Sequence, residues 1–482
     1  MAYLNKLSVI SGKSDIGLEN VDNTSDANKP VSIATQTELN LKQPKKYRFG
    51  FDEYGMFKKP SDFTPTLPCN FYRDSSNVIK HDMDFGALKT GTKIYVNVSS
   101  GSDSTGNGTI GTPYKTIQKA CTIAAAGADA EYSVVVTSTV PFFRDEQLGA
   151  ITFTNKNISI VHNVAGTRIV MSMGQRGLTW TQDGTGTWKA SRTGVYAVYD
   201  FRRKDVNGVY IPLDNKSSLA NCQANINSWY TDSTYIWVHT SDGLIPTDTN
   251  IAACVQVTTP TVTLLGTSRI YFENIDFCAL NFELGGIIIK GDATGSTVVG
   301  RVVANGCTFA SQGRLTTNYG NAFETQDVKN VQLFNCFGGY AKADVFNYHF
   351  TNVPTNNRRD CLVLEYVVEG YNAGLDRTDN NNNATTAHEG ANVLRIGCSG
   401  SNTKGPVLAD VGGCYSICID CDMVDSTYSL GTYYFEANVA GKAILINCST
   451  DEDAIGLNAN CKTYAYNFIG NISNTGYPIV MD

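Results

Sequence analysis

The chain has 482 residues, and its 38 basic against 45 acidic side chains give a formal net charge of −7 at pH 7. That balance excludes an extended nucleic-acid surface, because neutralising phosphates needs a dense basic patch; the one basic cluster, KQPKKYR at 42–48, lies beside a proline and reads as linker. No apolar run is long enough to span a bilayer, and MAYLNKLSVISGKSD lacks the basic start, apolar stretch and cleavage site of a secretion signal, so neither nucleic acid nor membrane is expected as a partner.

In chain order, residues 1–42 carry short apolar stubs and a candidate helix at 32–41, where Ser32 could cap VSIATQTEL. They have little to bury alone and are expected to be ordered only in an oligomer or against a partner. Residues 43–93 alternate proline, glycine and aromatics and read as a neck. YVNV at 95–98 is then a strand, SSGSDSTGNGTIG a loop, and TIQKACTIAAAGA a short amphipathic helix. From residue 132, EYSVVVTSTV, NISIVHN, RIVMSM, VYAVYDF and TYIWVHT are short β runs bounded by turn residues, with a spacing that suits a sandwich or a solenoid.

The second half discriminates between them. Cysteines end β runs at 278, 307, 336, 398, 421 and 448, with steps of 29, 29, 62, 23 and 27 residues. A repeat of that length predicts a solenoid whose inward cysteines stack coil on coil as small hydrophobes. A solenoid leaves a raw end that must be covered, which gives the helix after YVNV its expected place. The 14 cysteines are too dispersed for a disulfide scaffold, and Cys414, Cys418 and Cys421 lack a partner pair or neighbouring histidine for zinc, so no metal or cofactor is expected.

Two stretches carry a resemblance. Asp15 to Ser32, DIGLENVDNTSDANKPVS, resembles a segment recurring at the virion-proximal end of bacteriophage tail fibres and tailspikes. Tyr95 and Val96, the Gly/Ser/Asp loop, and Pro113, Tyr114, Lys115, Thr116, Ile117, Gln118 and Ala120 resemble the entry motif of pectin-lyase-like proteins. Together they make the chain similar to a phage tailspike. The resemblance implies an all-β, right-handed parallel β-helix (a single-stranded solenoid) over 94–482, a small N-terminal attachment part and a homotrimer. It further implies a place in the virion, with the N-terminus on the tail, the baseplate or another tail protein, and binding of host capsular polysaccharide or O-antigen, often with cleavage. Many such proteins continue into a trimerisation domain, so the stretch ending NTGYPIVMD is expected either to close the solenoid or to be a processed end.

Glycoside hydrolysis needs two carboxyl groups flanking the bond, which adjacent coils can supply. Candidates are densest from 340 to 425. The expected catalytic set is Asp344, Asp376, Glu389 and Asp410, and the expected substrate-binding set is Tyr348, His349, Glu365, His388, Arg377 and Arg395. Aligning Tyr340 with Tyr371 puts Asp344 and Asp376 on nearly the same flank, while turn capping by Asp344, Asp376 and Asp410 is the plainer alternative. Segments similar to recurring tailspike pieces on successive coils are Asp344 to His349, Thr386 to Gly390 and Ala409 to Val411. Arg358, Arg359, Arg377 and Arg395 near the histidines keep β-elimination from a uronate open. A non-enzymatic adhesin and a purely structural tail component are the rival classes. NNNN at 380–383 reads as an outward loop rimming a groove. Trp180, Trp188, Trp229, Tyr230 and Trp237 would stack on sugars if exposed, with core packing the commoner fate of tryptophan.

Overall fold

The computed structural model describes residues 50–52, 54–255, 261–279, 285–292, 299–311, 320–353, 358, 360–374, 377, 381–427, 432–435, 441–453, 455–457, 461–471 and 479–481. The segment Asp15 to Ser32, the candidate helix at 32–41 and Asp376 lie outside them. The chain divides into two units, one of residues 1–59 and 71–78 and one of residues 60–70 and 79–482. In the first, Phe51 bridges Phe57, and the Arg73 guanidinium lies 4.7 Å from the Phe51 ring centroid.

The second unit is built from three parallel sheets, with 12, 9 and 9 strands among the described residues. Each coil passes from the third sheet to the first, then the second, then back. One turn runs through Asn321–Gln326, Asn330–Phe334 and Phe337–Gly339, and the next through Phe346–His349, Leu362–Tyr366 and Glu369–Ala373. This is the arrangement of a right-handed parallel β-helix. Strand interiors are nearly continuous apolar runs, as expected where the inner face is wholly buried.

The corner between the first and second sheets explains much of the repeat. Asn274, Gly306, Asn335, Val367, Gly397, Asp420, Asn447 and Asn467 all have positive φ, between 50° and 65°. Each of the first seven donates its N–H to the next coil, as Asn335 does to the Tyr366 carbonyl at 2.9 Å. Asparagine and glycine tolerate this left-handed conformation, whereas a β-branched residue there is an outlier. Val367→Asn should therefore stabilise the protein by about 1 kcal/mol, read as a raised urea midpoint; an unchanged midpoint would show that the corner imposes no strain.

Five of the expected ladder cysteines, 307, 336, 398, 421 and 448, directly follow a corner residue and point inward. The sixth does not belong. Cys278 pairs in register with Ala310, three residues beyond Cys307, so the even step of 29 at that point is a coincidence of loop lengths.

Helix Ile117–Ala126 packs against Thr92–Val96, Glu131–Val136 and Ile151–Thr154 at the start of the sheets, burying Ile117, Ala120, Cys121 and Ala124. The Thr116 hydroxyl caps it by accepting from Lys119 N at 3.0 Å. The glycine-rich loop is organised by Asp103, whose carboxylate accepts from Lys115 N, Thr116 N and Thr116 Oγ1 at 2.9, 3.0 and 2.7 Å.

Residues 176–255 form an insertion of largely antiparallel strands between the second-sheet strand Ile169–Ser172 and the third-sheet strand Thr261–Leu265. VYAVYDF and TYIWVHT belong to it and not to the coils. Trp229 and Trp237 are buried there, their indole N–H groups donating to Leu213 O at 3.2 Å and Asp183 Oδ2 at 2.8 Å. Trp180 and Trp188 are half-buried.

Candidate functional site

Four consecutive strands of the third sheet, Asn321–Gln326, Phe346–His349, Thr385–Ala387 and Leu408–Asp410, align Glu324 with Asn347, Thr386 and Ala409, and Gln326 with His349. Alternation along a strand sends Phe323 and Tyr348 into the core and Glu324, Asn347 and His349 to the outer face. The three segments singled out in the sequence do fall on successive coils. On the outer face lies a groove of about 480 Å³ lined by Asn321, Glu324, Asp344, Asn347, His349 and His388, among others.

Asp344 sits just before its strand, 6% exposed. Its Oδ1 accepts from Asn383 N at 2.7 Å and its Oδ2 from Asn347 Nδ2 at 2.5 Å, while its own N–H donates to Asn321 Oδ1 at 3.0 Å. Burial pushes its carboxyl up to about 6, against the pull of the Asn383 and Asn347 donors and of His349, and with a smaller push from the negative charge of Glu324. Asn321 bridges the two acids, since its Nδ2 also donates to Glu324 Oε2 at 2.9 Å; Glu324 Oε1 accepts from Gln326 Nε2 at 2.5 Å. Asn347 Oδ1 is buried with no partner among the described residues.

The second cluster is His349, His388 and Glu389. His388 donates its backbone N–H to Tyr348 O, and its ring stacks near-parallel on that of His349, 4.1 Å between centroids and 15° between planes. His349 Nδ1 lies 3.6 Å from Glu389 Oε1, and Phe350 N donates to Glu389 Oε2 at 2.8 Å. Desolvation would lower His349, but the negative charge of the nearby Glu389 carboxylate outweighs it and raises the pKa. Burial and the adjacent His349 push His388 down to about 4. For Glu389, desolvation is outweighed by His349 and the Phe350 N–H, and its pKa is lowered.

The other expected site residues are elsewhere. Tyr348, Glu365, Arg395 and Asp410 point into the solenoid and are at most 1% exposed. Arg395 donates Nε to Glu365 Oε2 at 2.8 Å, and Nη1 and Nη2 to Asp410 at 2.6 and 3.0 Å. Tyr348 OH and Thr385 Oγ1 close Glu365 at 2.6 and 2.7 Å, and Ser416 Oγ closes Asp410 at 2.6 Å. Their interior position follows from strand parity, since Asp410 is level with Tyr348 and Glu365 with Arg395. Arg377 donates its backbone N–H to Gly374 O at 2.9 Å, and Arg358 gives Nε to Val353 O at 2.8 Å.

The Tyr340–Tyr371 alignment is off by one residue. Gly339 pairs with Tyr371, so Tyr340 matches Asn372, and both of these have positive φ. The asparagine run divides: Asn380 lies outside the described residues, Asn381 is exposed and lines the groove as expected, and the next two turn inward. Asn382 and Asn383 are 1% and 2% exposed, because the Asn383 backbone is the donor that holds Asp344. Glu324 and Asn321 were missed because their coil carries few ionisable residues; the alternation of Phe323 and Thr325 with Glu324 and Gln326 was the available signal.

No family model matches the chain, and no curated protein matches it. Among solved structures it is similar to a glycoside hydrolase at 11% identity and TM-score 0.43, covering 80% of this chain and 98% of that one. It is similar to the GH136 lacto-N-biosidase from Eubacterium ramulus at 11% identity and TM-score 0.41, covering 81% and 67%. The Siphovirus 9NA tailspike receptor binding domain matches at 12% identity and TM-score 0.21, covering 81% and 76%.

Proposed function

We propose that the groove binds a bacterial surface polysaccharide, capsular or O-antigen, and hydrolyses a glycosidic bond, with Asp344 as general acid and Glu324 as the second carboxyl group. The observation that carries the reading is the environment of Asp344. A general acid near neutral pH must be held protonated, and burial beside a second negative charge does that. Asn321, touching both acids, fixes their relative position, and Asn347 and His349 are placed to bind sugar hydroxyls.

The resemblance of Asp15–Ser32 to tailspike segments supports a place on a phage tail, with attachment through the N-terminus and a homotrimeric assembly. The test is incubation of the purified chain with a panel of capsular and O-antigen polysaccharides, following fragment size and ultraviolet absorbance. Shortened chains without the chromophore of an unsaturated uronate are expected. Shortened chains carrying that chromophore would mean elimination, and tight binding without shortening would mean an adhesin; either overturns the hydrolase reading.

A further inference from the structure

The geometry points to a divalent transition-metal site formed by His349, His388 and Glu389 at the groove. One donor atom from each lies within 4.8 Å of the other two. The His349 Nδ1 to Glu389 Oε1 edge, 3.6 Å, is close to the roughly 3.4 Å between neighbouring ligands of a tetrahedral ion with bonds of about 2.1 Å. His388, stacked on His349 with 4.1 Å between ring centroids, completes the set when its ring turns out of that stack so that the two imidazole planes meet at the ion.

Two further features suit an ion. Glu389 has φ +58°, and Phe350 N holds its Oε2, leaving Oε1 towards His349. Orienting a ligating carboxylate through its second oxygen is the usual support of a metal site. His388 Nε2 has Thr386 Oγ1 at 3.4 Å as its neighbour. Two imidazoles and one carboxylate select zinc, nickel or cobalt over calcium or magnesium, which prefer all-oxygen shells. His349 and His388 line the groove, so the ion's remaining positions face it and are filled by water or a sugar oxygen.

The test is calorimetric titration of the tag-free, chelator-treated full chain with zinc, nickel and calcium chlorides, together with the visible spectrum after cobalt loading. Saturable binding of one zinc ion per chain is expected, weakened about tenfold or more by His388→Ala and by Glu389→Gln, with no saturable heat from calcium. Should either variant fail to fold, as judged by circular dichroism, the cobalt spectrum of the unmodified chain decides: ligand-field bands of imidazole coordination support the site, and a spectrum of free aqueous cobalt overturns it. Zinc binding that is absent, or that survives both substitutions, overturns it as well. Asp344→Asn leaves zinc binding intact, which separates failure of this site from failure of the hydrolase reading.

Discussion

Asp344→Asn is expected to abolish polysaccharide cleavage while making the protein more stable in neutral buffer. Loss of a general acid lowers the rate by about 10²- to 10⁴-fold. The pH profile of the unmodified protein should agree: the active form is protonated, so turnover falls as pH rises through about 6. Stability falls over the same range of pH. Because the folded carboxyl is raised from 3.8 to about 6, the folded state holds the proton more tightly than the unfolded chain does. Its contribution is fully present below the unfolded value and is lost as pH rises through the folded one, leaving a cost of about 3 kcal/mol above it.

The amide of the variant escapes that cost. It can still accept from Asn383 N, and a flip of the Asn347 amide turns its Oδ1 to receive the new N–H, so that one buried Asn347 atom stays unpartnered, as in the unmodified protein, and no buried charge remains. The melting temperature of Asp344→Asn should therefore exceed that of the unmodified protein in neutral buffer and converge with it in acid. Cleavage within tenfold of the unmodified rate would sink the acid assignment. A melting temperature that falls at every pH would show that the carboxyl serves structure instead.

Arg395→Met is the second large effect, and it acts on folding. The guanidinium lies between Glu365 and Asp410 with no exposure, and its removal leaves two buried carboxyl groups facing each other without a cation. Breaking a buried pair in this way costs about 3–5 kcal/mol, and here two pairs share the arginine. The variant should unfold at much lower urea, or accumulate insoluble. Combining Arg395→Met with Glu365→Gln and Asp410→Asn removes the charges together while keeping acceptors for Tyr348, Thr385 and Ser416, and should recover most of the loss. A soluble, fully stable Arg395→Met protein that had lost only glycan binding would instead return Arg395 to the groove.

These two residues show where sequence reading succeeds and where it stops. The repeating coils and the capping helix were legible, because β-runs, turn residues and helix caps are set by neighbours a few positions apart; the grouping of the 344–349, 386–390 and 409–411 segments rested on their resemblance to recurring tailspike pieces. The division of Asp344, His349 and Glu389 from Glu365, Arg395 and Asp410 was not. It depends on which side of the pleat each residue takes, and a one-residue error at Tyr340 is enough to misplace a flank. Likewise Asn382 and Asn383 read as surface until a carboxylate one coil away claims a backbone N–H. The sequence by itself determined a solenoid and the coils that carry its polar residues. Only the tertiary structure decided which acids share the groove, which are locked around Arg395, and that an antiparallel lobe interrupts the coils, because register between strands tens of residues apart is fixed by packing and loop length rather than by local pattern.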